Sequence, residues 1–494
     1  MKQSTQTLAL DAQQAEKAQR RLIAEGIVSA SQDSLTRGIV LLAYALLLGA
    51  NTFQIGLLST ANMIGSSFQL LADRLIRKLG SRKRLAVGSL GALAVLRALL
   101  GLLPLAAMWI AAEHLAWGLL SGLLIVSGAQ QIAEVVRLSW VAEVVAEEER
   151  GRFLGERQFV VQLVASSVAI AAAWTLDWQR AISDAQGLFT AQTFFIVASV
   201  LGIASIFIIR TVPEPDTIPT RQTRSWTFII QPFANARFRP LMAHYAIWHF
   251  AVAFAGPFFD LYLITAVGLP LGVVASLAFM GELASIYAVR FWGQLADRFG
   301  NLPVLRICAF SKAVFPFAWI LLWPPQSVGG KVFVYAMAVI VHLWRVFNSG
   351  QQLTTVNLAL KLMPTDQRTS YLATFRTLGN WIHAFSPAIG GLLAVALQNH
   401  GWPSRWSIAV LFAVSGIGRF GALYALSWVR EPRAKRIRAL WKAMRRLPGV
   451  LPGHGLRSMA KFWGAPVYSG FVFVRLRLGR MVNNWRGTPN MDER

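Results

Sequence analysis

Glu134 and Arg137 stand in a stretch almost free of other charge, and Gln130 precedes them at helical spacing, so an α-helix places all three on one face. A carboxylate, a guanidinium and an amide on one face can hold a polar or charged ligand, and the carboxylate can carry a proton. The same residues also read as an internal ion pair at i, i+3 with a purely structural role. A second stretch repeats the pattern. His342, Arg345, Asn348 and Gln352 share a helix face, and a constant offset of 218 residues lays Asn348 on Gln130 and Gln352 on Glu134. Glu282, inside the apolar "SLAFMGELASIY", joins Glu134 and Asp260 as a candidate proton carrier, because a desolvated carboxyl exchanges its proton near neutrality. His249, His342 and His383 titrate in the useful range as well. Arg97, Arg306 and Lys312 read as snorkelling or helix-bracing charges.

Long apolar elements must hold these groups. Of the 494 residues, 55% are hydrophobic and 14% are charged. Windows of about 20 residues divide the chain into twelve apolar runs, most of them long enough to cross a hydrocarbon core of ~30 Å. They cover 36–57, 58–75, 84–108, 115–146, 153–176, 188–210, 240–265, 270–292, 302–323, 331–360, 370–397 and 406–428. Helices are required, since lipid cannot satisfy the open backbone of strands and a barrel shows runs of ~10 alternating residues. The expected fold is an all-α polytopic membrane protein with twelve transmembrane helices. Glu134 then falls ~20 Å from the nearer loop, close to the midplane.

The polar joints alternate in charge. "RLIRKLGSRKR" at 74–84, "EEERGR" at 147–152, the segment 211–239, "DRFG" at 297–300 and "PTDQR" at 364–368 are basic or strongly charged. The joints near 110–114, 177–187, 266–269, 324–331 and 398–405 carry few positive charges. This bias places both termini and the basic joints in the cytoplasm. The organisation expected is an extension over 1–35, six spans over 36–210, a connector over 211–239, six spans over 240–429 and a basic tail over 430–494. Of the formal charge of +25, from 48 Lys and Arg against 23 Asp and Glu, a substantial part lies in the tail, which holds fifteen basic and three acidic residues, and much of the rest in the basic joints. Ile437, Leu440, Trp441, Met444 and Leu447 make an apolar stripe between basic residues, the pattern of a helix lying on an anionic lipid surface. That spacing favours lipid over nucleic acid as the partner of the charge.

Cys308 is the single cysteine, which excludes an intramolecular disulfide and a four-thiolate metal site. No HExxH, CxxC or Walker-type glycine loop occurs, so the sequence gives no reason to expect a metal, a cofactor, an enzyme activity or ATP-driven transport.

The halves carry related loops. "LADR" occurs at 71–74 and 295–298, and "EEERGRFLGERQ" at 147–158 aligns with "TDQRTSYLATFR" at 365–376, which lays Arg150 on Arg368. With six spans on each side of a connector, the chain resembles the major facilitator superfamily of secondary transporters over approximately 30–430. The family's gating loop, Gly-x-x-x-Asp-Arg-x-Gly, is matched by Gly293, Asp297, Arg298 and Gly300. The first-half copy keeps Asp73, Arg74 and Gly80 but has Gln69 at the first glycine position. The resemblance implies that the glycine permits close helix approach and that the aspartate biases the gate from a helix N-terminus. It further implies that the first, fourth, seventh and tenth helices enclose a substrate path. Asn51, Gln54, Gln130, Glu134, Arg137, His249, Asp260, His342, Arg345, Asn348 and Gln352 would line it. His249 and Asp260 would share one face, three turns apart. The implied activity is alternating-access transport of a small polar, anionic or zwitterionic solute by a functional monomer, driven by a proton gradient across a bacterial cytoplasmic membrane. An exporter or flippase of amphipathic drugs or lysolipids, and a non-transporting receptor or scaffold, are the alternatives.

Overall fold

A computed structural model describes residues 12–66, 68–109, 111, 114–144, 147–212, 227–364, 367–432, 434–435 and 439–440. Residues 213–226 of the 211–239 connector, and Ile437, Trp441, Met444 and Leu447 of the amphipathic stripe, lie outside the described residues. Among the described residues every regular element is helical. The chain makes twelve antiparallel passes. The first is α1 (Ala12–Thr36) with α2 (Gly38–Leu47), and the second is α3 (Thr52–Ser66) with α4 (Gln69–Leu79). Then come α5 (Arg82–Gly101), α6 (Leu115–Val144), α7 (Glu147–Ile182) and α8 (Asp184–Arg210). The short α9 (Thr227–Ala234) precedes α10 (Arg239–Ala255), which forms the seventh pass with α11 (Phe258–Tyr262) and a π-type turn over Leu263–Val267. The remaining passes are α12 (Leu271–Phe299), α13 (Asn301–Ile320), α14 (Val328–Leu343) with α15 (Val346–Leu362), α16 (Arg368–Asn399) and α17 (Ser404–Ala425).

Local chemistry sets these boundaries. Ser81, Ser183 and Ser327 cap α5, α8 and α14 by accepting from the backbone N–H three residues on, at 3.1, 3.2 and 3.1 Å. Ten segments, beginning with Arg82–Gly101 and ending with Ser404–Trp428, are long and apolar enough to cross a membrane. The chain is a multi-pass membrane protein.

The first two passes differ from the expected runs 36–57 and 58–75. Residues 12–35 are not a separate extension: α1 packs against α7 and α8, with Leu22 and Glu25 buried. Its charges depress the mean hydropathy, which hides a helix whose polar side is buried in the protein. The first pass therefore ends at Leu47, and the turn containing Gly49 and Asn51 falls inside the expected first run.

Four passes are interrupted near their middles, the second pass of the chain between Ser66 and Gln69, where α3 gives way to α4. The first breaks at Arg37 and Gly38, where Gly38 adopts a positive φ of 57° that disfavours any residue with a Cβ. The seventh breaks at Gly256 and Pro257, since proline cannot supply the N–H that a continuous helix needs. The tenth breaks at Trp344 and Arg345.

The halves meet through α3 against α16 and α7 against α12. These contacts lie towards the end opposite the termini. A Cβ on Gly56 would come within 2.5 Å of the Pro387 carbonyl oxygen, and Thr52 Oγ1 accepts from Gln398 Nε2 at 3.2 Å. The Asp177 carboxylate of α7 accepts from the backbone N–H groups of Leu271 and Gly272 at 2.9 and 2.7 Å, at the N-terminus of α12. Gly272 lies under the Trp174 ring, where a Cβ would approach to 2.3 Å. Towards the terminal end, α4 packs against α5 and α6 of its own half.

The chain after α17 folds back on the α12–α13 turn. Glu431 accepts from Leu302 N at 2.6 Å, Lys361 Nζ at 2.9 Å and Asn301 Nδ2 at 3.1 Å. Lys435 N donates to Phe299 O at 2.9 Å, and Leu440 is buried in a cluster with Trp292, Phe299 and Cys308. Burial alone would raise the Glu431 carboxyl, but its hydrogen bonds from Leu302, Lys361 and Asn301 outweigh that and hold it below its ordinary value of 4.5. A depressed folded value contributes stability that is complete above the unfolded value and is lost as pH falls through the folded one. Thermal unfolding followed against pH is expected to show Glu431→Gln less stable than wild type near neutrality, with the two converging as pH falls below 4.5. A gap that stays constant with pH would contradict this assignment.

Candidate functional site

The N-terminal half gathers its charges around α1. Arg137 on α6 donates to Glu25 Oε1 at 2.8 Å, to Ser29 and to Glu134. Ser205 on α8 donates to the same Glu25 oxygen at 2.9 Å, and Arg157 on α7 lies 3.9 Å from the other. One turn-pair further along α1, Asp33 accepts from Arg97 of α5 and Gln130 of α6. Arg37, at the break in the pass, donates to Asn62 at 3.0 Å. The guanidiniums of Arg97 and Arg137 are buried, whereas the side chains of Asp33 and Glu134 are 29% and 43% exposed. The carboxylates thus face accessible space with the arginines behind them.

Gln130, Glu134 and Arg137 do share a face, as their spacing predicts, and the Glu134–Arg137 pair forms. The partners that complete it, Glu25, Ser29 and Asp33, were hidden in the segment read as an extension. Their spacing of four residues is a helical stripe, the one signal in the sequence that pointed to them. Arg97, read as snorkelling or bracing, braces α5 to α1 through its buried pairing with Asp33.

Asn51 and Gln54 sit elsewhere than the expected first helix. Gln54 Oε1 accepts from Asn51 N at 2.9 Å and Asn51 Oδ1 accepts from Gln54 N at 3.0 Å, a reciprocal cap on α3 at the end opposite the termini. Their polarity goes to the helix end.

In the C-terminal half, the break at Gly256 and Pro257 sends His249 and Asp260 to different neighbours, so the expected common face is not formed. His249 Nδ1 lies 2.8 Å from His383 Nε2 on α16, the rings edge to face. Asp260 is accessible and within electrostatic reach of His342 and Arg345. His342 is buried with Nδ1 2.7 Å from the Ala338 carbonyl oxygen, and Arg345, at the break of the tenth pass, is exposed and donates to Ala278 O at 3.3 Å. Asn348 and Gln351 accept from Lys312 Nζ at 2.7 and 2.8 Å. Lys312, read as a snorkelling or helix-bracing charge, therefore points into the half and braces α13 to α15. Gln352 is exposed. Glu282 is half-buried on α12 and makes no hydrogen bond or ion pair with another described residue.

At the terminal end, Gly80 and Gly300 close α4 and α12 with φ of 63° and 99°. Asp297, Arg298, Arg74 and Arg368 are exposed, and Asp297 has no ion-pair partner among the described residues. A Cβ on Gly293 would meet only Leu353 Cδ2, at 3.7 Å, so the close approach implied for this glycine is not made in this arrangement. The side chains of Asp73 and Arg150 lie outside the described residues. A cavity of about 620 Å³ lies beside Gly80, lined by Lys83, Arg84 and Arg210 among others, away from the two polar networks.

The family model described as Major Facilitator Superfamily matches residues 26–387. No curated protein sequence matches the chain. Solved structures do. A bacterial metal transporter superposes with a TM-score of 0.60 at 16% identity, over 83% of this chain and 98% of its own. The nucleoside transporter NupG gives 0.59 at 14% identity, over 83% and 98%. The inward-open xylose transporter XylE from E. coli gives 0.57 at 14% identity, over 87% and 99%. At these identities the likeness is one of fold.

Proposed function

The chain belongs to the major facilitator superfamily, and from that premise we propose that it moves a small polar solute, anionic or zwitterionic, by alternating access with proton coupling. The observation that carries this reading is the placement of charge at broken helices. Asp33 and Arg37 stand at the break of the first pass and Arg345 at that of the tenth, while Asp260 follows the break of the seventh. Helix breaks deep in a membrane protein are tolerated where they line a cavity, and intramembrane charge marks a solute or ion path. Carboxylates and cations both reach accessible space, which suits a solute carrying a negative charge or both charges better than a simple cation.

The packing of the halves at one end supports a state open towards the termini. By the basic-joint bias that end is cytoplasmic, in a bacterial inner membrane. Asp260 is the leading proton carrier, since Glu134 is held by Arg137. A monomer contains both halves of the proposed path.

A thermostability screen of anionic and zwitterionic solutes on the purified protein, followed by flux in proteoliposomes, tests the reading. Flux of at least one stabilising solute is expected to respond to an imposed pH gradient, with Asp260→Asn reducing that response. Flux that ignores the gradient in every variant would end the coupling claim. Binding without flux for every solute would favour a receptor.

A further inference from the structure

The two halves treat the buried and partly buried cations among their helices differently. In the N-terminal half Arg97, Arg137 and Arg157 each reach a carboxylate, Asp33 or Glu25. In the C-terminal half Lys312 and Arg419 reach none: among the described residues no carboxylate oxygen lies within 4.0 Å of either. The Lys312 ammonium is solvated by two amide oxygens and sits 5.4 Å from the Trp248 ring centroid. Amides and an aromatic face stabilise a cation without neutralising it, and two hydrogen bonds leave one of its three N–H donors unused.

The next residue on α10 is His249, paired with His383. An N···N contact of 2.8 Å holds one proton between the rings, one nitrogen donating and the other accepting. The pair takes up one further proton with that bond intact, as imidazolium donating to imidazole. A second would make both nitrogens donors and break it. The Tyr245 ring lies 4.0 Å from His249 and stacks on Phe375, so the pair is walled by aromatic rings.

The other titratable and charged groups are His244 on α10 beside the pair, Arg376 on α16 beside Tyr245, and Cys308 on α13, Arg419 on α17 and Arg345 at the break of the tenth pass around Lys312. His244 is committed to the Ala422 carbonyl at 2.8 Å, and Arg419 donates to the Lys312 carbonyl at 2.9 Å. All are cationic or neutral. An uncompensated charge in a membrane interior is costly enough that it is kept where something meets it.

We propose that Lys312 and the His249–His383 pair form an anion subsite that takes a carboxylate group of the solute together with one proton. The carboxylate accepts from the unused Lys312 N–H and from the imidazolium, while Trp248 and Tyr245 wall the organic part. Each charge favours the other, so protonation of the pair and anion binding are linked reciprocally. This rests on the transport reading above and specifies its solute.

Sodium benzoate, an aromatic carboxylate, is the probe, with neutral benzamide as control. Titration calorimetry on the full-length protein, in buffers of different ionisation enthalpy, counts the protons taken up. Benzoate is expected to bind with uptake approaching about one proton per anion, and its affinity to fall up to about tenfold per pH unit as the free pair loses its proton. Lys312→Gln should weaken benzoate at least about tenfold. His249→Gln and His383→Asn, both able to keep an inter-helix hydrogen bond, should bind without proton uptake, with melting temperature reporting that each variant is folded. No benzoate binding, binding equal to benzamide, or proton uptake unchanged in both folded histidine variants would overturn the proposal. The two readings fail separately: no flux with the linkage intact removes the transport reading, whereas flux without the linkage removes the subsite.

Discussion

Asp177→Ala is expected to shift the protein towards a state open at the end opposite the termini. The Asp177 carboxylate crosses between the halves and accepts from two backbone N–H groups at the start of α12. Those donors have no partner within their own helix, and the helix N-terminus carries partial positive charge. Hydrogen bonds to a charged acceptor contribute ~1.5–3 kcal/mol each, so losing both on one side of a balanced equilibrium is worth about 3 kcal/mol after water replaces them. That corresponds to roughly a 100-fold change in the ratio of the two states. Spin labels at Ser183→Cys and Ser327→Cys, on turns of opposite halves at this end, read the change in a Cys308→Ser background. The distance distribution should move to longer values in Asp177→Ala and keep the parent's short component in Asp177→Asn, which retains one acceptor oxygen. An unchanged distribution in the alanine variant would show that α3 and α16 hold this end alone.

The second large effect falls on stability. Glu25 is fully buried and accepts from Arg137, Ser29 and Ser205. Glu25→Gln leaves the Arg137 guanidinium with only the half-exposed Glu134 as a counter-ion. Removing one member of a buried ion pair typically costs ~3–5 kcal/mol because the remaining charge is stranded. The melting temperature of the purified protein should fall sharply in Glu25→Gln. Pairing it with Arg137→Met, which removes the stranded charge, should recover most of the loss. If the double variant is no better than the sum of the singles, the two residues do not act as a pair.

The sequence made ten of the passes legible because their apolar runs are unbroken and their joints alternate in charge. The first pass escaped for the same physical reason that makes it central. Its polar side, Glu25, Ser29 and Asp33, is satisfied by helices distant in the chain, and hydropathy averaging cannot distinguish a charge facing water from one facing a partner. For Lys312 and Arg97 the sequence leaves snorkelling and bracing both open, since a single charge in an apolar run shows its cost but not its direction. Asn51 and Gln54 went the other way: polar residues at the edge of a run turned out to cap a helix. The match between Gln130 and Asn348 was legible as a spacing, and each does bind a charged side chain, Asp33 in one half and Lys312 in the other. The opposite sign of those partners could not be read from the alignment of the halves.

The dependence of α1 on distant partners also bears on how the chain is made. Glu25 and Asp33 leave the ribosome long before Arg97, Arg137, Arg157 and Ser205, the groups that neutralise or solvate them. An isolated helix with this charge is a poor candidate for lipid insertion. This pass is therefore expected to settle only after α5 to α8 have emerged to receive it. Weakening any of those later partners is expected to lower the yield of inserted protein as well as the stability of the finished one.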